Sequence, residues 1–246
     1  MNPHLLKHTV VNSPPLTRWQ PGFWRIRLSG SRRLFAGITD RSTSLHGVRD
    51  AMPWARGIIE AQQVHGASLA AIGVTAAPVT PVAGCDGLAT AQSDVILTIR
   101  TADCLPILAW DPVQDVIGVV HAGWRGLTQQ LPIRLVAFLR QQYGSQPRHL
   151  RMAIGPSIRA CCYDVGSEFV ARFDRHVRRV AGAWRCDLIG SAIDQLVQAG
   201  VSASRIVDCG VCTACDPSRW YSFRRDGNND GRLFSFIVLK SSNPTR

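Results

Sequence analysis

A thiol and an imidazole stand at the ends of two apolar runs that lie close together in the chain. Cys104, in Thr101-Ala102-Asp103-Cys104-Leu105-Pro106, opens the run Leu105–Trp110. His121, in His121-Ala122-Gly123-Trp124-Arg125-Gly126, closes Val116–Val120. Asp111-Pro112 between them is a turn signal, so two strands side by side would bring Cys104 and His121 to one end of a sheet. Gln63-Val64-His65-Gly66 places a second imidazole at another strand end. Two imidazoles and a thiolate suit zinc, with the fourth position left open for chemistry. The same ligands accept copper. Without a metal, Cys104 as nucleophile and His121 as its base would make a thiol hydrolase.

Other side chains could support that chemistry. Asp103 precedes the thiol and has two readings, a local strand-end hydrogen bond or a carboxylate that anchors the site or accepts a proton. Asp86, before Gly87, has the same two. Arg125 lies between glycines just before a helix, where backbone N–H groups and a guanidinium can hold an anion. Arg224 and Arg225, next to Asp226-Gly227, form a second arginine pair. Cys209, Cys212 and Cys215 have C-x-x-C-x-x-C spacing. An iron–sulfur run of that type needs a fourth cysteine four positions on, but Arg219 stands there. Cys161-Cys162 or Cys186 could complete a set only if the fold delivered them.

The elements that must position these groups can be read from periodicity. Strands are predicted at Phe23–Leu28, Arg33–Thr39, Gly57–Val64, Leu69–Val74, Asp94–Ile99, Leu105–Trp110, Val116–His121, Leu150–Ile154, Arg205–Cys209 and Arg232–Leu239. Asp94–His121 reads as the centre of one buried sheet. One helix is predicted over Leu127–Tyr143, with Pro132 in its first turn or kinking it. Two more are predicted over Ser167–Val180 and Ile189–Ala199. Residues 1–22 read as an irregular arm, Asp40–Trp54 as loop with a short helix, Thr75–Gly87 as a long surface loop, and Asp226–Gly231 as a hairpin turn. With no linker or repeat, residues 23–241 form a single α/β (α+β) domain, a mixed sheet with helices on its outer faces.

The formal net charge of +11 requires polyanions to be considered as partners. The excess is almost all arginine, since Lys7 and Lys240 are the only lysines. Its dispersal along the chain argues for a solvated surface and against nucleic acid. There is no secretory leader pattern at the N-terminus and no apolar run of membrane-spanning length. The eight cysteines therefore read as reduced thiols in a cytoplasmic protein.

Taken in order, Gln63-Val64-His65-Gly66, Asp86-Gly87-Leu88, Thr101–Pro106, His121–Gly126, Ile154–Ile158 with Cys161–Gly166, Cys212-Thr213 and Phe223–Gly227 resemble the laccase-domain family. That family was once called multicopper polyphenol oxidases and is now regarded as purine nucleoside phosphorylases. The resemblance spans about residues 33–239. It implies mixed sheets sandwiched by helices, as in the catalytic domain of cytotoxic necrotizing factors. It also implies zinc held by His65, Cys104 and His121, and phosphorolysis of adenosine, inosine, guanosine or methylthioadenosine, with adenosine deamination as a further activity. Cys104, His121 and Asp103 are then the candidates for catalytic work, and Arg125, Arg224, Arg225 and Arg41 for contacts with phosphate or ribose. The expected partners are purine nucleosides and phosphate, with no membrane, and the protein is expected as a monomer or small homo-oligomer. A copper-dependent phenol oxidase is the alternative within the family. Arg41 is the counterpart of a family arginine, but the glycines expected near it are absent from Ile38–His46. The altered Asp40–Trp54 stretch is expected to help close over the substrate.

Overall fold

In the computed structural model, which describes residues 15–28, 31–73, 79–227 and 231–242, Leu105–Asp111 and Val116–Ala122 are strands buried at every position. A strand reaches that state only when both faces of its sheet are covered. The two pair antiparallel, with His121 opposite Pro106 and Ala122 opposite Leu105. They are the middle of a six-stranded sheet ordered Ile206–Asp208, Arg151–Ile154, Leu105–Asp111, Val116–Ala122, Gly87–Thr90, Leu69–Ala71. A seven-stranded sheet runs Leu16–Gln20, Phe23–Ile26, Leu34–Thr39, Leu233–Leu239, Val95–Thr101, Gly57–Gln62, Val79–Ala83. Both sheets mix parallel and antiparallel pairs.

Side-chain alternation along a strand explains how the sheets stack. Leu108 and Trp110 meet Leu97, Ile99 and Ile237 of the other sheet in a shared core. Leu105, Ile107 and Ala109 face the opposite way, toward Leu135 and Leu139 of the helix Leu131–Tyr143 and Ala192 and Leu196 of the helix Leu188–Gln198. On the far side of the seven-stranded sheet, Val48 of the helix Leu45–Ala51 and Met52 just after it pack on Ile58, Ile96 and Phe236. The expected architecture of mixed sheets inside helices is therefore present.

Several local expectations are corrected. The three runs between Asp94 and His121 do not share one sheet. Val95–Thr101 belongs to the seven-stranded sheet, and only the two later runs pair with each other. The arm expected over residues 1–22 contains the strand Leu16–Gln20, which gains partners from Phe23–Ile26; residues 1–14 lie outside the described part. The loop expected at Thr75–Gly87 contains the strand Val79–Ala83. Pro81 is tolerated there because the strand lies at the sheet edge. Leu127–Tyr143 is split into Trp124–Thr128 and Leu131–Tyr143 by Gln130, whose φ is 60°, with Pro132 in the first turn of the second helix. The helix expected over Ser167–Val180 is a single α-turn, Val170–Phe173, followed by the strand Val177–Val180. That strand pairs with Ala183–Cys186 across Ala181-Gly182, whose φ values are both positive, as a two-residue hairpin turn requires. Within the expected turn Asp226–Gly231, residues 228–230 lie outside the described part.

Candidate metal centre

The strand pairing that puts His121 beside Pro106 carries Cys104 to the same end of the six-stranded sheet. His65 arrives just beyond the strand Gly57–Gln62 of the other sheet. One donor atom from each of His65, Cys104 and His121 lies within 4.8 Å of those of the others. The two imidazoles are edge-on, with centroids 4.8 Å apart and planes at 89°. His121 is buried and His65 exposed, so the group opens to solvent on one side. Gly123 allows this closeness: a Cβ there would lie 3.0 Å from Cys104 Sγ.

Asp86 organises the histidines. Its Oδ1 lies 2.9 Å from His121 Nδ1, which leaves Nε2 for a metal or for the thiol. Its carboxylate also accepts from the backbone N–H groups of Val64, His65 and Gly66, at 3.3, 3.0 and 2.7 Å. Those bonds hold His65 at a φ of 58°, a left-handed conformation costly outside glycine. Burial pushes the Asp86 carboxyl up, but the His121 ring and the backbone donors outweigh it and hold the pKa below the ordinary value. Burial likewise opposes the Cys104 thiolate, yet hydrogen bonds with His121 and His65 bring the thiol down to about 6.

Asp103 sits at φ 91° and lines the same cavity, but it is not one of the three donors. Its Oδ1 accepts from Thr213 Oγ1 at 2.6 Å, and its Oδ2 accepts from Ser222 Oγ at 3.0 Å and the Arg224 N–H at 2.7 Å. It therefore ties the Cys104 turn to two distant loops. A cavity of about 890 Å³ lies over the centre, lined by residues that include His65, Cys104, His121, Trp124, Tyr163 and Phe223. That is the size of a small-molecule pocket. Arg125 and Arg224 reach it. Arg125 lies over the Trp124 ring at 4.4 Å, and Arg224 over Tyr163 at 4.7 Å.

The other two predicted arginines are placed elsewhere. Arg225 pairs with Asp226 and donates to the carbonyls of Thr213, Ala214 and Trp220, outside the cavity wall. Arg41 donates to the Pro217 carbonyl and lies over Tyr221, also away from the wall. The Asp40–Trp54 stretch does not close over the cavity either: none of its residues lines it, because Val48 and Met52 are sunk in the outer core. Sequence reasoning left Asp86 with two readings and did not single out Trp124, Tyr163 or the Glu60–Arg100 ion pair on the cavity wall. An aromatic residue within the Cys161–Gly166 and His121–Gly126 segments was the available signal.

A family model described as multi-copper polyphenol oxidoreductase laccase matches residues 43–240. Purine nucleoside phosphorylase YlmD of Bacillus subtilis is 33% identical over 171 residues, which cover 66% of this chain and 62% of that protein. Adenosine deaminase RL5, from an unknown prokaryotic organism, is 36% identical over 166 residues, 64% of this chain and 63% of its own length. Each of these two matches thus spans less than two thirds of the relative. The crystal structure of the hypothetical protein YfiH from Bacillus licheniformis has the same fold, with a TM-score of 0.84 at 26% identity over 92% of this chain and 99% of that one.

Proposed function

The chain belongs to the multi-copper polyphenol oxidoreductase laccase family, and we propose that within it this protein is a zinc-dependent purine nucleoside phosphorylase. The observation that carries the reading is the meeting of a His65–Cys104–His121 donor set with Arg125 and Arg224 in one cavity. The names of the two relatives, a purine nucleoside phosphorylase and an adenosine deaminase, agree with it.

The donor set fits zinc: two imidazoles and a thiol, one imidazole already oriented by a carboxylate, with an open side toward the cavity. Held there, zinc would supply Lewis acidity to the bound purine or to water. The chain's own groups supply the rest. Arg125 and Arg224 offer guanidinium forks suited to phosphate, so that a phosphate oxygen can reach C1′ of the nucleoside as the bond to the base breaks. Trp124, Tyr163 and Phe223 offer aromatic walls for the purine. Burial raises the Tyr163 phenol to about 12, against the opposing charge of Arg224, so the phenol keeps its proton and can offer a hydrogen bond to the bound purine. Asp103 is a positioning residue that holds the Cys104 turn. Adenosine deamination would use the same cavity. We place the protein in the cytoplasm, in keeping with eight unpaired thiols. Among the described residues no helix is long and apolar enough to cross a membrane.

The test is purified protein given adenosine or inosine with phosphate. Free base and pentose 1-phosphate should appear, and should disappear on chelation and return with zinc. No base or pentose phosphate with zinc present overturns the proposal, and recovery with copper alone favours the phenol-oxidase alternative. Among the described residues, one grouping of three or more metal donors contains histidine, which is too little for a multicopper cluster. The Cys104–His121–Asp86 chain supports a second reading, a thiol hydrolase. Rapid alkylation of Cys104 before any chelator is added would favour it, since a bound metal protects the thiol.

A further inference from the structure

Four cysteines meet at a place the proposed reaction does not use. Cys161 and Cys162 follow the strand Arg151–Ile154 by a short turn, and Cys212 and Cys215 follow Ile206–Asp208. Those strands pair in parallel, so their C-terminal ends emerge together. Beyond the strands, Ser157 and Cys212 form a bridge, with Ser157 N–H to Val211 O at 3.2 Å and Thr213 N–H to Ser157 O at 3.1 Å. The four Sγ atoms all lie within 4.8 Å of one another. Cys215 Sγ is 3.6 Å from that of Cys161 and 3.4 Å from that of Cys162.

We propose that Cys161, Cys162, Cys212 and Cys215 form a second, structural site that binds one zinc ion through four thiolates. Zinc–sulfur bonds of about 2.3 Å in a tetrahedron put the sulfurs about 3.8 Å apart, close to the spacing found. A four-iron cluster divides its thiolates among separate iron atoms and needs a wider cage. Cys209, the first cysteine of the C-x-x-C-x-x-C run, is buried and outside the group, so the sequence spacing alone points to the wrong set.

The surroundings suit the assignment. Burial raises the Cys212 thiol, but the backbone amides of Arg159, Cys215 and Ala214 outweigh it and bring its pKa down. Burial and the neighbouring thiols Cys212 and Cys215 push Cys161 up to about 11. A cation bound among the four would release their protons to solvent. Cys161 and Cys215 are exposed, which leaves an entry path. The segments so joined flank the cavity: Tyr163 follows Cys162 and lines it, while Thr213 follows Cys212 and donates to Asp103.

The two sites can be separated by metal content without reference to activity. Protein expressed with zinc available should carry two zinc ions per chain. Cys215→Ser, at an exposed position, should carry one, and so should Cys104→Ser. Cobalt added to metal-free Cys104→Ser should give the thiolate charge-transfer and intense d–d bands of a tetrahedral four-sulfur site, and these should be absent when Cys215→Ser is added. If a variant fails to fold, the unmodified protein still decides. Mercurial titration of its thiols should release both ions, with alkylation after chelation labelling all four cysteines. A single zinc that Cys104→Ser removes completely overturns the proposal. So does iron with acid-labile sulfide, or a disulfide joining Cys161 or Cys162 to Cys212 or Cys215 in freshly purified protein.

Discussion

A single carboxylate, Asp86, sets His121 through its ring and His65 through the backbone, so two donors from different sheets share one reference point. In the metal-free protein the pair beside it has a particular pH behaviour. Burial opposes both charges. Hydrogen bonds with His121 and His65 nonetheless lower Cys104 from 9.0 to about 6, and those with Asp86 and Cys104 raise His121 from 6.5 to about 9. The stabilisation from the lowered thiol is complete above 9.0 and lost as pH falls through about 6. That from the raised imidazole is complete below 6.5 and lost as pH rises through about 9. Between 6.5 and 9, folded and unfolded chains carry the same protons on this pair, and the two slopes cancel. The pair should therefore add no pH dependence to unfolding in that window. Alkylation of Cys104 in chelated protein should instead rise with its midpoint near pH 6 and level off well below pH 9. A thiol that starts to react only near pH 9 would contradict the pairing.

At the scale of elements, the short helix Phe223–Asp226 holds two arginines with different duties. Ser222 Oγ caps it by accepting from the Arg225 N–H at 3.2 Å. Arg224 reaches the cavity, whereas Arg225 clips the 213–214 segment and Trp220 to the helix. A lysine cannot reproduce that fork. Arg225→Lys should therefore cost about 1–3 kcal/mol in urea unfolding, with little change in the KM for phosphate. Arg224→Ala should do the reverse, raising that KM while the unfolding midpoint stays near the wild-type value. The opposite pattern would show that the two roles are exchanged. Ser167–Val180, expected as one helix, holds arginines of a similar kind. Arg172, Arg175 and Arg179 have helical spacing, but Arg172 lies over Trp124, Arg175 pairs with Asp194 and Arg179 lies over Trp184. Their spacing reflects separate tertiary partners, and the local backbone follows Ala181-Gly182 instead.

Across the whole molecule, stability depends on the core shared by the sheets. Leu108 is fully buried there, on the strand that begins one residue after Cys104. Leu108→Ala should lower unfolding stability by about 2–5 kcal/mol, while the fraction that remains folded keeps its metal. Loss of metal at full stability would instead place Leu108 in the site. The positive charge is spread in the same global way: Arg33, Arg100, Arg159, Arg175, Arg185, Arg219 and Arg225 are each paired with a carboxylate.

By itself the sequence determined what is local. Apolar runs bounded by Asp111-Pro112 were enough to pair Leu105–Asp111 with Val116–Ala122 and to seat Cys104 beside His121. Residue chemistry pointed to His65 as the third member of a metal set. Tertiary structure decided what depends on distant segments sharing one place. It sent Val95–Thr101 to a different sheet from its neighbours, assigned Asp86 to the histidines, and withdrew Arg41 and Arg225 from the cavity. It also joined Cys161 and Cys162 to Cys212 and Cys215. The physical reason is the same in each case. A pleat and a turn are specified by a few adjacent residues, whereas a shared carboxylate or a four-sulfur cluster depends on how strands far apart in the chain are ordered. That order is fixed only when the two sheets bury their common core.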